Sequence, residues 1–117
     1  MRAKAGESQI GSEPYKARTQ KSIGEAIHAL EHRRDLAEVR AGLDALLAAL
    51  TRYGDHLDDP EPVFALTAHV AEELKRKAPD PHTLKTILMG IADEAKSVGE
   101  ILVPVLSLRD TVVAVFT

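Results

Sequence analysis

Residues 84–116 carry apolar side chains on more than one side of any helix that they form. Most surface helices of globular proteins have a single apolar stripe, so an apolar surface of this width needs cover on two sides. Other helices of the same chain supply that cover in a bundle, and a second molecule supplies it in an oligomer. The stretch therefore predicts either a central bundle helix or an interface helix. Its apolar members are Ile87, Leu88, Ile91, Val98, Ile101, Leu102, Val105, Leu106, Leu108, Val112, Val113, Val115 and Phe116.

The segment before residue 55 shows the apolar spacing of helices more simply. The clearest predicted helix spans residues 35–54, with Asp35 as its N-cap and Glu38 as the reciprocal cap. Its apolar residues recur at steps of three and four, which is the spacing of one helical face. They are Leu36, Val39, Leu43, Leu46, Leu47 and Leu50, and Leu57 continues the spacing beyond Gly54.

Two Asp-Pro pairs predict the starts of two further helices. Asp59-Pro60 and Asp80-Pro81 each offer an acidic N-cap followed by a proline, whose missing N–H is harmless in the first turn. The first pair predicts a helix over residues 60–77. The second predicts a helix from residue 81 that has no stop signal until about residue 103.

Pro104 is expected to kink or break that last helix, because it removes the hydrogen bond to the carbonyl of Glu100. Beyond Pro104 the helical spacing continues, while Leu106 and Val113 lie off that face. The β-branched run at residues 111–115 also permits a strand. A helix is favoured there because the sequence offers no second strand to pair with it.

The N-terminal part is the least regular. Residues 1–12 predict a flexible leader, and residues 13–117 a single helical domain. The first helix is expected from about residue 13 to 33, although Ser22 and Glu25 resemble a capping box and permit a later start. Its expected inner stripe is Thr19, Ile23, Ala26, Ile27 and Leu30. The predicted fold is all-α, a small bundle of four principal helices with the last one kinked or broken at Pro104.

Composition excludes several classes of function. The chain has no cysteine, which removes disulfides, thiolate catalysis and sulfur-ligated zinc. Aromatic residues make up 3 % and the net charge is −3, so neither base-stacking rings nor a basic footprint favours a nucleic-acid partner. No apolar window approaches the ~18 residues of a membrane span, and no signal peptide is visible. We expect a cytoplasmic protein without a cofactor, and the abundance of Ala, Leu and Arg favours a bacterial origin.

One motif predicts metal chemistry as an alternative. His28-x-x-Glu31-His32 matches the pattern of inverted zinc peptidases, in which two histidines hold the metal and the glutamate activates water. Such an enzyme also needs a third ligand and a substrate cleft. A solvated helix surface, with local charge balance, is the favoured interpretation of the three residues.

An acidic segment, residues 55–61, predicts a second alternative. It contains Asp55, Asp58, Asp59 and Glu61. A solvated turn is the favoured interpretation, because the ligand spacing of an EF-hand is absent. An inhibitor or immunity-type protein would use such a surface against a basic target.

The C-terminal half resembles small, uncharacterised bacterial helical domains that accompany signalling or conflict-system proteins. The resemblance rests on Leu74, Ala78-Pro79, Leu84, Ile87-Leu88, Gly90-Ile91-Ala92, Ser97-Val98 and Glu100-Ile101. It implies an interaction or regulatory module and transfers no functional residue. We therefore predict a non-catalytic module that associates with itself or with another protein. The predicted contact residues are Leu102, Val105, Val112 and Phe116.

Overall fold

The computed structural model describes residues 14–116, and these residues form five α-helices joined by short turns. The helices are α1 (Pro14–Leu30), α2 (Ala37–Tyr53), α3 (Pro60–Leu74), α4 (Pro81–Glu94) and α5 (Gly99–Phe116). Single 3₁₀ turns at Arg34–Leu36 and Gly54–His56 flank α2. Within the described range there is no strand, so the predicted all-α class is confirmed there. The predicted leader, residues 1–12, lies outside the described residues.

The helices pack in a closed ring around one core. Helix α1 contacts α2 and α3, α3 contacts α4, α4 contacts α5, and α5 returns to α2. Each helix therefore has two main neighbours and one outward side. The core consists mainly of aliphatic residues, as the low aromatic content predicts. Its largest fully buried side chains are Phe64, Ile23, Leu30, Leu36, Leu43, Leu46, Leu50, Leu74, Leu84, Leu88, Ile91 and Ile101. In the described residues, no helix is long and apolar enough to cross a membrane.

The prediction of one long helix from residue 81 to about residue 103 is wrong. The chain turns at residues 95–98, where the Val98 N–H donates to the Ala95 carbonyl at 2.9 Å. Both Ala95 and Val98 are buried in this turn. An unbroken helix over residues 81–116 would be about 54 Å long at 1.5 Å per residue, about twice the length of α2. Because the chain folds back, α5 lies beside α4. Its apolar side chains are then buried, whereas in one unbroken helix they would project beyond the bundle into water. The bundle thus has five helices and not four.

Helix α5 is also not broken at Pro104, because it continues from Gly99 to Phe116. The proline leaves the Glu100 carbonyl without its helical donor. Glu100 is exposed, so water can satisfy that carbonyl. The run at residues 111–115 is helical, as favoured over a strand.

Only one of the predicted acidic caps forms. The Asp80 carboxylate accepts the His82 N–H at 3.3 Å and the Thr83 hydroxyl at 2.6 Å. The hydroxyl of Thr83, more than the backbone donors, lowers the pKa of Asp80. Asp59 occupies the N-cap position of α3 but makes no side-chain cap. Asp35 does not cap α2, which begins after a 3₁₀ turn, and instead accepts two hydrogen bonds from Arg33 at 3.0 and 3.2 Å.

Helix α1 is already helical at Pro14, so the later start at Ser22 is wrong, and it ends at Leu30. Its buried residues are Thr19, Ile23, Ala26 and Leu30, which confirms most of the predicted stripe. The stripe is narrow and includes a hydroxyl, which donates to the Phe64 carbonyl at 3.0 Å. Polar contacts therefore support the packing of α1 on the bundle.

Two lysines form ion pairs between α1 and neighbouring parts of the chain. Lys75 bridges Glu25 of α1 and Glu72 of α3, each at 2.9 Å, and Lys16 of α1 pairs with Asp55 at 2.9 Å. A hydrogen bond from Lys75 lowers the pKa of Glu72, and one from Lys16 lowers the pKa of Asp55. Hydrogen bonds to Glu25 and to Glu72 raise the pKa of Lys75. Exposed ion pairs of this kind each contribute little to the free energy of unfolding. Their contribution depends on pH, because it is lost when the carboxylate is protonated.

The lowered carboxylate pKa values predict a loss of stability in acid. The contribution of Glu72 is present above its unfolded pKa of about 4 and is lost as the pH falls through the lower folded value. We expect wild-type protein to lose more stability between about pH 6 and pH 3 than Glu72→Gln. Urea denaturation at the two pH values measures the difference. Equal losses in both proteins would show that the Lys75 bridge does not stabilise the fold.

Two mid-helix glycines predict opposite responses to alanine. Gly24 of α1 has open space around it, whereas a methyl group at position 42 of α2 would lie 2.9 Å from Cδ1 of the buried Leu108. Gly24→Ala should stabilise the protein by about 0.5–1 kcal/mol through helix propensity alone. Gly42→Ala should not stabilise the protein, because Leu108 must shift within a packed core and the cost of that shift offsets the gain in helix propensity. Thermal unfolding of the two variants tests the pair, and equal shifts would contradict it.

Candidate functional site

The inward side of α5 belongs to the core of the bundle. Ile101, Val105, Leu108 and Val112, here called the inner row, are all buried. Val105 is 0 % exposed and Val112 is 1 % exposed, so the chain's own helices already cover both. These two predicted contact residues are therefore core residues, and no partner reaches them without opening the bundle.

The outward side of α5 carries a second apolar row. Val103, Leu106, Asp110 and Val113 follow one another at steps of three, four and three, and we call them the outer stripe. Val103 is 67 % exposed and Val113 is 39 % exposed, while Leu106 is half-buried. This spacing is the heptad spacing of helices that pair along a seam. The outer stripe thus has the spacing of helices that pair, with a carboxylate, Asp110, at one of its four positions.

The other two predicted contact residues flank the outer stripe. Leu102 and Phe116 are partly buried and pack against the core while keeping part of their surface accessible. They lie on the side of α5 that is neither inner row nor outer stripe. Of the four predicted contact residues, only these two are open to a partner.

Helix α4 extends the surface on one side. The Arg109 guanidinium lies between the two helices and donates to Sδ of Met89 at 3.3 Å, and Met89 is 44 % exposed. Further along the same groove is a cavity of about 190 Å³. Its lining residues are Pro81, His82, Lys85, Val112 and Val113. Arg109 therefore joins the exposed methionine of α4 to the surface of α5.

Charge is scarce on this surface. Between Ile101 and Phe116 the only charged residues are Arg109 and Asp110, and in the structure they pair with each other at 2.9 Å. The Asp110 side chain is largely exposed, whereas that of Arg109 is about one-third exposed. The contribution of α5 to this surface is therefore mostly apolar, with one charge of each sign near its middle, and α4 adds Lys85 beside Val113.

The predicted metal motif is open to solvent. His28 Nδ1 lies 3.2 Å from Glu31 Oε1, and the rings of His28 and His32 are 6.1 Å apart between centroids. Helix α1 ends at Leu30, so Glu31 and His32 lie in the turn that follows it. All three residues are exposed, and the structure brings no further His, Asp or Glu to them within residues 14–116. The three residues are solvated, and Glu31 contacts His28 from the turn that follows the helix.

The acidic segment at residues 55–61 spans the turn between α2 and α3 and the first two residues of α3. Asp55, Asp58, Asp59 and Glu61 are exposed there. Lys16 of α1 pairs with Asp55, so part of the negative charge is neutralised within the chain. The segment presents fewer free carboxylates to a basic partner than its sequence indicates.

No protein-family model matches the chain, and comparison with curated proteins and with solved structures finds no similar protein. The resemblance to bacterial helical domains of signalling and conflict systems thus stays a prediction. Several residues that carry it, among them Leu84, Leu88 and Ile91, are core residues of the bundle. Any helical bundle needs apolar residues at such positions, so they indicate fold more than function.

The outer stripe was not among the predicted contact residues. Its signal in the sequence is the heptad spacing of Val103, Leu106 and Val113, set off from the inner row of the same helix. Two apolar rows on one helix look alike in sequence, and only the neighbours of the helix decide which row is buried. Here α2 and α4 cover the inner row.

Proposed function

We propose that this chain is a non-catalytic interaction module of the bacterial cytoplasm, and that it self-associates through the outer stripe of α5. One observation carries the proposal. Helix α5 has an inner row that the bundle buries completely and an outer row whose valines, Val103 and Val113, stay exposed. The exposed row has the spacing by which helices pair, which isolated surface valines do not have.

The physical reason for association is the removal of apolar surface from water, which contributes ~25 cal/mol per Å² buried. A seam along one helix buries less than the ~800 Å² per partner of a standard interface. The costs of association offset much of the gain. We therefore expect a reversible dimer with a dissociation constant on the order of micromolar.

Two other proposals have less support. An inhibitor that uses the acidic turn at residues 55–61 would present a surface that Lys16 partly neutralises. A metal-dependent hydrolase using His28, Glu31 and His32 needs a further ligand and an enclosed site. Stoichiometric zinc in the purified protein would support the hydrolase and would count against the proposed module.

Sedimentation velocity over a range of concentrations tests the proposal. Wild-type protein should dimerise, and Val103→Asp or Val113→Asp should shift it to monomer, because each places a carboxylate in the seam. Ala65→Asp is the matched control, since Ala65 is an exposed residue of α3, which packs mainly against α1 and α4. The control should dimerise like wild type, and all variants should retain the helical circular dichroism spectrum.

A wild-type protein that stays monomeric up to millimolar concentration overturns the proposal. So does a dimer that Val103→Asp and Val113→Asp leave unchanged, because its interface then lies elsewhere.

A further inference from the structure

We infer that Met89 is a site of oxidation by hydroperoxides, and that Arg109 holds the sulfoxide that forms there. The inference goes beyond the proposed function and does not depend on it. It is carried by one contact between α4 and α5, in which Nη1 of Arg109 donates to Sδ of Met89 at 3.3 Å.

Met89 lies at the surface of the folded protein. It is 44 % exposed, whereas Leu84, Leu88 and Ile91 of the same helix are buried in the core. Oxidation turns an apolar methionine side chain into a polar one, which disrupts a core when the methionine is buried there. At this exposed position a peroxide can reach the side chain, and the bundle need not open for the reaction.

Arg109 is oriented by its neighbour on α5. Its Nε and Nη2 donate to Oδ1 of Asp110 at 3.1 and 2.9 Å, and its Nη1 faces Met89. The guanidinium is planar, so two hydrogen bonds to one carboxylate also fix the direction of the remaining donor. A charged donor is therefore already in place at the sulfur before any oxidation occurs.

This donor fits the sulfoxide better than the thioether. A thioether sulfur is a weak acceptor, whereas the sulfoxide is polar and carries an oxygen that accepts hydrogen bonds. Hydrogen bonds from a charged donor are roughly twice as strong as those between neutral groups. Because the contact is stronger in the oxidised form, it favours that form and joins α4 more firmly to α5.

The reaction is a two-electron oxidation of the sulfur. The thioether attacks the OH oxygen of the hydroperoxide, so that the S–O bond forms while the O–O bond breaks. The oxygen that leaves takes up the proton of the attacked OH group and departs as an alcohol, or as water when the oxidant is hydrogen peroxide. The sulfur is oxidised and the peroxide is reduced, and methionine sulfoxide reductases restore the thioether.

Hydrogen peroxide tests the inference on dilute protein, below the micromolar range in which we expect dimers. Peptide mapping by mass spectrometry should show the sulfoxide at Met89 while the circular dichroism spectrum stays helical. The oxidised protein should unfold about 3 °C above the reduced protein, because a hydrogen bond to a charged group is gained. A methionine sulfoxide reductase should return the melting temperature to its starting value.

Two variants serve as controls. Met89→Leu keeps the apolar volume without the sulfur, so peroxide should leave its melting temperature unchanged, although Met1 is still present. Arg109→Ala keeps Met89 and removes the donor, so oxidation should no longer raise its melting temperature. Each comparison is made between the oxidised and reduced forms of one variant, so the effect of the substitution itself cancels.

Two results would overturn the inference. One is a folded protein in which peroxide leaves Met89 unoxidised. The other is an oxidised wild type whose melting temperature fails to rise, or rises no more than that of Arg109→Ala, because Arg109 then does not hold the sulfoxide. Neither result bears on the proposed self-association, which sedimentation measures separately.

Discussion

Val105→Asp should leave the protein largely unfolded at room temperature. Val105 is 0 % exposed and lies in the inner row of α5, where α5 packs between α2 and α4. The aspartate would place a carboxylate among aliphatic side chains without a cation, and it would also remove apolar contacts. We expect a loss of more than about 4 kcal/mol, a large share of the 5–15 kcal/mol that stabilises most domains. Urea denaturation followed by circular dichroism measures it.

The control for this prediction lies two residues away on the same helix. Val103→Asp introduces the same charge about 200° around α5, where the side chain is 67 % exposed. It should change the free energy of unfolding of the monomer by less than ~0.5 kcal/mol. If Val105→Asp folded normally while Val103→Asp unfolded the protein, the outer stripe would be the buried side of α5 and the inner row the exposed side. Since Val105→Asp destroys the fold, it cannot serve as a probe of association.

The sequence predicted the elements whose apolar residues lie on one face. In α2 and α3 the three- and four-residue spacing marks a single buried side, and Val39, Leu43, Leu46, Val63 and Val70 are all buried as that spacing predicts. Asp80 also caps its helix as predicted. These features depend on interactions within one helix or one turn, and the local sequence contains them.

The turn between α4 and α5 could not be predicted, because it does not depend on the local sequence alone. Ala95 and Val98 continue the apolar spacing of α4, so the local pattern favours an unbroken helix. The chain turns there because α5 gains cover by packing against α2 and α4, an interaction with residues far away in the sequence. Pro104 is the stronger local signal for a break, yet α5 continues through it next to an exposed carbonyl.

The candidate site depends on that turn. While α4 and α5 are taken as one helix, Val105 and Val112 belong to a broad apolar surface that a partner can cover. Once α5 folds back, those two residues become core, while the outer stripe and parts of Leu102 and Phe116 remain accessible. Helix α5 has apolar side chains on two sides, as the sequence indicates, and the contact residues that we propose are therefore Val103, Leu106 and Val113 in place of Val105 and Val112.

Phe64→Ala should give the second large loss, about 3–5 kcal/mol, and should loosen α1 first. Phe64 is fully buried, and its ring contacts residues on either side of α2 in the sequence. Its ring contacts Tyr15 of α1 edge-on at 5.6 Å between centroids. The ring also packs closely against Gly54 after α2, where a methyl group would lie 3.0 Å from it. Removing it opens a cavity between α1 and α3 and takes away the aromatic contact with Tyr15.

The other phenylalanine provides the matched control. Phe116→Ala removes the same ring from the end of α5, where it is only partly buried, so its cost should be less than half as large. Hydrogen exchange adds a readout of position, because amides of α1 should lose protection in Phe64→Ala before those of α4 and α5. Uniform loss across all helices would mean that the bundle opens as one unit. In that case the polar contacts of Thr19 and Lys75 bind α1 more firmly than its apolar stripe indicates.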